Sequence, residues 1–177
     1  MLEKLLFFTN VQKILSFLIK NPDKEYFDRE ISKITGVSRA GTNFALRDLA
    51  KEGIILREKR GRMYFYKIPS NDVFVKYLKI LQNIILLRTL GEKLKKFSLK
   101  IILYGSAAKG ENHSESDIDI FIMTRSVDDI EKIIFKDKLR EKIKYVLHTP
   151  NDFIKLKKNN PVFYKEVEEG IVLWEEK

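Results

Sequence analysis

The residues most able to do chemistry lie in the stretch YGSAAKGENHSESDIDIFI, residues 104–122. A Gly105-Ser106 pair follows an apolar run that has the character of a buried strand. Residues 106–110 predict a short helical turn, whose free N–H groups suit a phosphate. Asp117 and Asp119 open an alternating run that predicts a second strand, and alternate residues of a strand project from one face. Two carboxylates on one face, beside such a turn, can hold Mg²⁺ bridged to a triphosphate.

A second interpretation of this stretch is an exposed Ser/Asn/Asp-rich loop with two surface aspartates. An isolated Asp-x-Asp would favour that interpretation. The Gly-Ser pair after an apolar strand, the spacing, and the alternation around Asp117 and Asp119 together favour the nucleotide site.

The stretch resembles the nucleotidyltransferase signature of the DNA polymerase beta-like superfamily, and most closely its minimal nucleotidyltransferase branch. Residues 104–106 (YGS) and 117–120 (DIDI) match the two halves of that signature position by position. The resemblance implies that Asp117 and Asp119 are catalytic residues that bind the metal. It also implies a nucleotide-binding set, predicted as Gly105, Ser106, Lys109 and Ser116.

One position departs from the family pattern. The family usually carries a third carboxylate on the strand after the next helix, where it activates the attacking hydroxyl. Here that strand, residues 142–148, reads KIKYVLH without an acid, and alternation places Lys144 near the expected position. Glu141 could replace the acid only in a different register. We therefore expect nucleotide binding, with transfer that is slow or lost.

The composition excludes several classes of protein. At 177 residues with an ordinary apolar fraction, the chain can bury a core as one domain or two small ones. The absence of cysteine excludes disulfide frameworks and cysteine zinc sites, and two histidines are too few for a histidine metal site. No signal peptide or membrane span is evident, so we expect a cytoplasmic protein without a membrane partner. Abundant Lys, Ile and Glu are typical of thermophiles.

The basic charge lies outside the nucleotidyltransferase-like segment. Residues 1–70 carry 14 Lys/Arg and 8 Asp/Glu (net +6), and residues 71–98 carry 6 and 2 (net +4). Residues 99–177 carry 14 and 15 (net −1), which completes the +9 of the chain. This asymmetry predicts that the N-terminal part binds a polyanion.

The N-terminal part predicts three helices followed by a β-hairpin. Asn10 and Ser38 are the expected caps of the first and third helices, Asp28 opens the second, and Gly61 lies in the turn between two strand-like runs. Residues 36–68, GVSRAGTNFALRDLAKEGIILREKRGRMYFYKI, resemble the winged helix-turn-helix of prokaryotic regulators. The resemblance implies duplex DNA as a partner, with a predicted DNA-binding set of Ser38, Arg39, Thr42, Asn43, Arg47, Lys59, Arg60 and Arg62. The alternative is a protein-interaction winged helix with a solvated basic wing.

The remaining segments complete the predicted organisation. We expect a winged helix-turn-helix domain over 1–70, a connecting or dimerisation helix over 71–97, and a minimal nucleotidyltransferase domain over 98–177. The fold class is therefore α/β (α+β), with a small polymerase beta-like domain built on a mixed sheet. For the helix, a linker and a homodimer contact are both open.

Two functions remain open at this stage. The first is an Mg²⁺-dependent enzyme that transfers a nucleoside monophosphate from an NTP, with ATP the expected substrate, to a protein or nucleic-acid hydroxyl. Resemblance to minimal nucleotidyltransferases suggests that it is the antitoxin of a toxin–antitoxin pair, with the cognate toxin as acceptor or partner. The second is a DNA-binding transcription regulator whose nucleotide-binding domain is degenerate and non-catalytic.

Overall fold

The computed structural model describes residues 8–176. They fall into two compact units, which are divided between Lys79 and Ile80. Each unit has its own apolar core. No helix in the described residues is long and apolar enough to cross a membrane.

The first unit contains helices packed beside a three-stranded antiparallel sheet. Its described elements are α1 (Asn10–Lys20), β1 (Tyr26–Phe27), α2 (Asp28–Thr35), α3 (Arg39–Lys51), β2 (Leu56–Arg60) and β3 (Met63–Lys67), with strand order β1-β3-β2. Helix α2 ends at Gly36, whose φ of 69° is readily adopted only by glycine, and Ser38 then caps α3. Two helices joined by this short turn precede the β2–β3 hairpin.

One local prediction for this unit needs correction. The cap of α1 is Thr9 rather than Asn10, because Thr9 and Gln12 form a reciprocal capping box. Ile34 of α2 and Phe44 of α3 are apolar but 57% and 63% exposed.

Helix α4 (Val73–Leu94) contributes to both cores. Val75 lies in the core of the first unit, whereas Leu87, Leu90 and Leu94 lie in that of the second.

The second unit is a mixed four-stranded sheet with apolar clusters on both faces. Its remaining elements are β4 (Ser98–Tyr104), α5 (Gly105–Lys109), β5 (Ile118–Thr124), α6 (Val127–Phe135), a 3₁₀ turn (Arg140–Lys142), β6 (Ile143–His148), α7 (Pro150–Asn159), α8 (Pro161–Glu168) and β7 (Ile171–Glu175). The strand order is β6-β5-β4-β7, in which β5 and β6 are parallel and the other pairs antiparallel. The predicted mixed α/β class with a mixed sheet is confirmed.

The alternation of β5 separates its two faces. Ile118, Ile120 and Ile122 are buried in the cluster that includes α4 and α6 residues. Phe121 points to the opposite cluster, which contains Leu156 of α7 and Val167 of α8. Asp119 has the parity of Phe121, so it emerges on the α7–α8 face of the sheet.

Candidate functional site

The turn after β4 brings the two halves of the motif together. Gly105 adopts a φ of 65°, and a β-carbon built on it would lie 2.8 Å from Oδ2 of Asp119. Tyr104, the residue before this turn, is the register partner of Asp119 across β4 and β5. Only glycine at position 105 therefore satisfies both the left-handed backbone and the close approach of the carboxylate.

The two carboxylates stand on the same side of the chain. Asp117 precedes β5 and Asp119 is its second residue, with buried Ile118 between them directed to the opposite face. Both aspartates are half-buried, so the pair is open to solvent and to a ligand.

The electrostatic setting of Asp119 disfavours its ionised form. Burial is the largest cause that raises the pKa of Asp119, and the charges of Asp117 and Glu166 add to it, whereas Lys144 lowers it. Burial, with Asp119 and Glu166, also raises the pKa of Tyr104 to about 12. A cation bound here would relieve the repulsion among these carboxylates.

Glu166 of α8 contributes to the electrostatics of Asp119 and Tyr104, which the motif did not reveal. The Phe163 ring, one turn earlier on the same helix, contacts that of Tyr104 edge-on at 5.6 Å between centroids. Val167 is fully buried beside Tyr104 in the same cluster. The helix thus holds the Glu166 charge within electrostatic reach of Asp119, although no local sequence signal pairs α8 with β5.

Lys144 lies at the position expected for a third carboxylate. It is the register partner of Asp119 in the parallel β5–β6 pair, and its Nζ lies 2.6 Å from Oδ2 of Asp117. The hydrogen bond to Asp117 raises the pKa of Lys144, so the ammonium form is favoured. Glu141 lies in the 3₁₀ turn before β6, where its 89%-exposed carboxylate contacts Arg140 at 3.5 Å.

An asparagine pair anchors the loop between α5 and β5. Nδ2 of buried Asn83 donates to the Ala107 carbonyl at 2.9 Å and to Oδ1 of Asn112 at 3.0 Å, and Asn112 donates back to Asn83 at 3.3 Å. Lys142 Nζ also donates to the Ser114 carbonyl at 3.1 Å. Asn83 was not among the predicted site residues. Two adjacent polar residues, Gln82 and Asn83, interrupt the apolar run of α4, and this was a signal that Asn83 has a specific hydrogen-bond partner.

The other predicted nucleotide-binding residues are differently placed. Ser106 is half-buried in the first turn of α5, and Lys109 is exposed at its end. The Ser116 hydroxyl accepts the His113 N–H at 2.8 Å and so closes the loop before Asp117. Ser116 therefore has a structural role that is already evident without a ligand.

Residues 89–177, half of the chain, match the family model described as "Polymerase beta, Nucleotidyltransferase". The chain belongs to the polymerase beta nucleotidyltransferase family. The matched residues include the Gly105 turn, both aspartates and the whole of the mixed sheet.

Two solved structures are weakly similar to the chain. A candidate nucleotidyltransferase from Sulfolobus solfataricus aligns with 17% identity and a TM-score of 0.39, over 56% of this chain and 86% of its own. TrmBL2, described as an archaeal chromatin protein with a novel mode of DNA binding, aligns with 16% identity and a TM-score of 0.32, over 88% and 68%. No curated protein matches the sequence.

The chemistry of Asp117 and Asp119 would suit one magnesium ion. Mg²⁺ is commonly held by one or two carboxylates, with phosphate and water oxygens completing its shell. Asp117 and Asp119 could supply two such ligands from one face. Within residues 8–176 no group of three or more His, Asp or Glu side chains is placed to hold a metal. A metal here would therefore depend on the nucleotide phosphates for the rest of its coordination.

The predicted DNA-binding residues of α3 are only partly available at the surface. Arg39 and Arg47 are exposed, and Asn43 is half-buried. Ser38 accepts the Gly41 N–H at 3.2 Å as the cap of the helix. Thr42 is fully buried and its hydroxyl donates to the Val37 carbonyl at 3.4 Å, so its prediction as a DNA contact is wrong in this structure.

The hairpin cations are also arranged differently from the prediction. Lys59 and Arg60 belong to strand β2, and only Gly61 and Arg62 form the turn. Arg60 contacts Glu25 at 2.7 Å and Glu58 at 2.5 Å, so it would have to leave two carboxylates before it could bind a phosphate. Lys59 and Arg62 are exposed and remain the hairpin residues best placed to meet phosphates.

Proposed function

We propose that the protein is an Mg²⁺-dependent nucleotidyltransferase that transfers a nucleoside monophosphate from an NTP, with ATP the expected substrate, to a hydroxyl of a protein or nucleic acid. The observation that carries this proposal is the position of Asp117 and Asp119 on one face against the Gly105 turn, in a chain of the nucleotidyltransferase family.

Different residues would have different roles in such a transfer. The Gly105 turn and Ser106 would orient the phosphates, since the first N–H groups of α5 have no partner within the helix. Asp117 and Asp119 would hold Mg²⁺, which when bound neutralises phosphate charge and polarises the α-phosphoryl group. The acceptor oxygen forms its bond to the α-phosphorus as the bond to the β-phosphate oxygen breaks and pyrophosphate leaves.

No carboxylate on β6 is placed to receive the proton of the acceptor hydroxyl, so this proton would pass to water. That strand reads IKYVLH, and its residue opposite Asp119 is Lys144. Without a base in this position, general-base assistance of about 10²- to 10⁴-fold would be lost, so we expect slow transfer.

The test of this proposal is direct. The full-length protein is incubated with each NTP labelled at the α-phosphate, with Mg²⁺ and cell lysate, and the labelled macromolecules are resolved on gels. Transfer that requires Mg²⁺ and is lost in an Asp117→Asn, Asp119→Asn double variant supports the proposal. No label transfer from any NTP would count against it.

The acceptor we propose first is a cognate toxin, in keeping with the resemblance to minimal nucleotidyltransferases. Such a partner would be modified or simply sequestered. The labelling experiment distinguishes these outcomes, because a sequestered toxin co-purifies with the protein without becoming labelled.

A second candidate function is a DNA-binding regulator with a non-catalytic nucleotide-binding domain. The contact of Lys144 with Asp117 favours this second function, because it occupies a predicted metal ligand. In the N-terminal part, exposed Arg39 and Arg47 on α3 and Lys59 and Arg62 on the hairpin favour it, with the helices and hairpin as a winged helix-turn-helix. Binding to duplex DNA without any nucleotidyl transfer would select this function.

Helix α4 carries a further proposal, namely pairing of two copies of the chain. Val73, Phe74 and Tyr77 on its first two turns are 66%, 52% and 69% exposed, which is a large apolar exposure for one helix face. Sedimentation of the wild type and a Tyr77→Glu variant tests it, since a dimer through α4 should dissociate in the variant.

A further inference from the structure

Lys144 is the cation nearest to the predicted metal ligands, and its position invites two opposite functions. Its Nζ lies 2.6 Å from Asp117 Oδ2, and its backbone is paired in register with Asp119. It could lock the site by occupying Asp117, or it could be a resident positive charge for the nucleotide.

The exposure of the pair argues against a lock. The side chains of Lys144 and Asp117 are 71% and 39% exposed. Exposed ion pairs contribute little, because both charges stay hydrated, are screened by salt and lose side-chain entropy in pairing. A triphosphate with its several negative charges is a stronger partner for the ammonium than one carboxylate.

The chemistry of the side chain suits the second function. A lysine on a flexible stem binds phosphate as a point charge and can change partners by rotation of its side chain. Lys144 lies on β6, which is an edge strand of the sheet. Among the described elements, no strand on the outer side of β6 restricts rotation of the Lys144 side chain. Released from Asp117, it would leave both carboxylates free for one divalent cation.

We propose that Lys144 is a phosphate-binding residue that exchanges Asp117 for the bound nucleotide and supplies the positive charge of a second metal, so that each bound nucleotide carries one divalent cation. This inference rests on the proposed nucleotide-binding function. A lysine that merely weakened the metal site would lower nucleotide affinity, whereas in this proposal Lys144 increases it.

The first measurement is the number of Mn²⁺ ions per nucleotide, from electron paramagnetic resonance. A non-hydrolysable ATP analogue is kept below the protein concentration, so that nearly all of it is bound. We expect one ion per nucleotide for the wild type and two for Lys144→Asp, which adds the missing carboxylate. Two ions in the wild type would overturn the proposal.

The second measurement is nucleotide affinity in Lys144→Ala. Loss of one charge-assisted contact should weaken binding roughly tenfold or more. Lys132→Ala is the matched control, because Lys132 is also 71% exposed and ion-paired, at 4.0 Å to Asp129, but lies on α6 beside the other face of the sheet. The control should bind as the wild type does.

The outcomes separate this inference from the function on which it rests. If Lys144→Ala binds the nucleotide as tightly as the wild type, or more tightly as a lock would require, the inference fails while nucleotide binding stands. If the wild type binds no nucleotide with Mn²⁺, both the inference and the proposed function fall.

Discussion

Gly105 and Asp119 fit together so closely that a β-carbon on the glycine would lie 2.8 Å from the carboxylate oxygen Oδ2. The turn that could hold phosphate is therefore in close contact with the strand that carries Asp119. A shift of either would move the carboxylate relative to the first N–H groups of α5.

We expect Gly105→Ala to destabilise the protein and to abolish nucleotide binding. The left-handed backbone alone costs a non-glycine residue about 1–2 kcal/mol, and the β-carbon would also displace Asp119. Gly91→Ala is the matched control, because Gly91 lies within helix α4 with no atom within 4 Å of its would-be β-carbon. That control should gain up to about 1 kcal/mol from helix propensity. Urea unfolding of both variants checks the opposite signs, and equal effects would contradict the account.

Asp119→Asn should stabilise the metal-free protein at neutral pH. Because burial raises the pKa of Asp119, its ionised form is less favourable in the folded than in the unfolded chain. This cost is present in full above the folded pKa and disappears below the unfolded pKa, where the carboxyl group is neutral in both states. The melting temperature of the variant should therefore exceed that of the wild type at pH 7, and the difference should shrink in acid.

The control for this prediction is Asp117→Asn, measured in the same chelator-containing buffer. It removes an equal charge but also the contact with Lys144, so it should not raise the melting temperature. A gain for Asp119→Asn that is independent of pH would show that the carboxylate charge is not its cause.

Asn83→Ala should loosen the loop before Asp117. The variant leaves the Ala107 carbonyl and the Asn112 side chain without their donor, which costs about 1–3 kcal/mol when such groups are buried. We expect lower stability and weaker nucleotide binding, with more rapid amide hydrogen exchange in residues 107–116. Unchanged exchange in that loop would rule out an anchoring role for Asn83.

The predicted DNA binding should depend on two hairpin cations rather than three. In the full-length protein, Lys59→Ala with Arg62→Ala should flatten the slope of log affinity against log salt by up to about 2. Adding Arg60→Ala should change it less, since Arg60 already contacts Glu25 and Glu58. Lys155→Ala with Lys158→Ala, two exposed lysines of α7, is the control. If the wild type binds no duplex even at low salt, the basic surface serves another partner.

Local signals were sufficient to predict the framework of the nucleotidyltransferase segment. The apolar run before Gly105, the turn itself and the alternation around Asp119 depend on neighbours within a few residues, and the structure has strands β4 and β5 there. Lys144 was placed near the acids by the same reasoning, because alternation along β6 decides which residues share a face.

The contacts that define the site in detail lie beyond such reasoning. Asn83 and Asn112 are 29 residues apart, and Arg60 and Glu25 are 35 apart, so only the folded chain brings them together. Thr42 is a different kind of error. The buried residues of α3 include Ala45, Leu46 and Leu49, and Thr42 continues that stripe by one turn. The helical period alone could have assigned it to the core.

The most direct test of the account is calorimetric titration of ATP into the full-length protein, with Mg²⁺ and again with chelator. The wild type should bind only with Mg²⁺, because without a cation Asp117 and Asp119 repel the phosphates. The double variant Asp117→Asn, Asp119→Asn should keep its fold by circular dichroism and lose the Mg²⁺-dependent binding. Equal affinity of the wild type and the double variant would contradict the central claim that these two carboxylates form the nucleotide site.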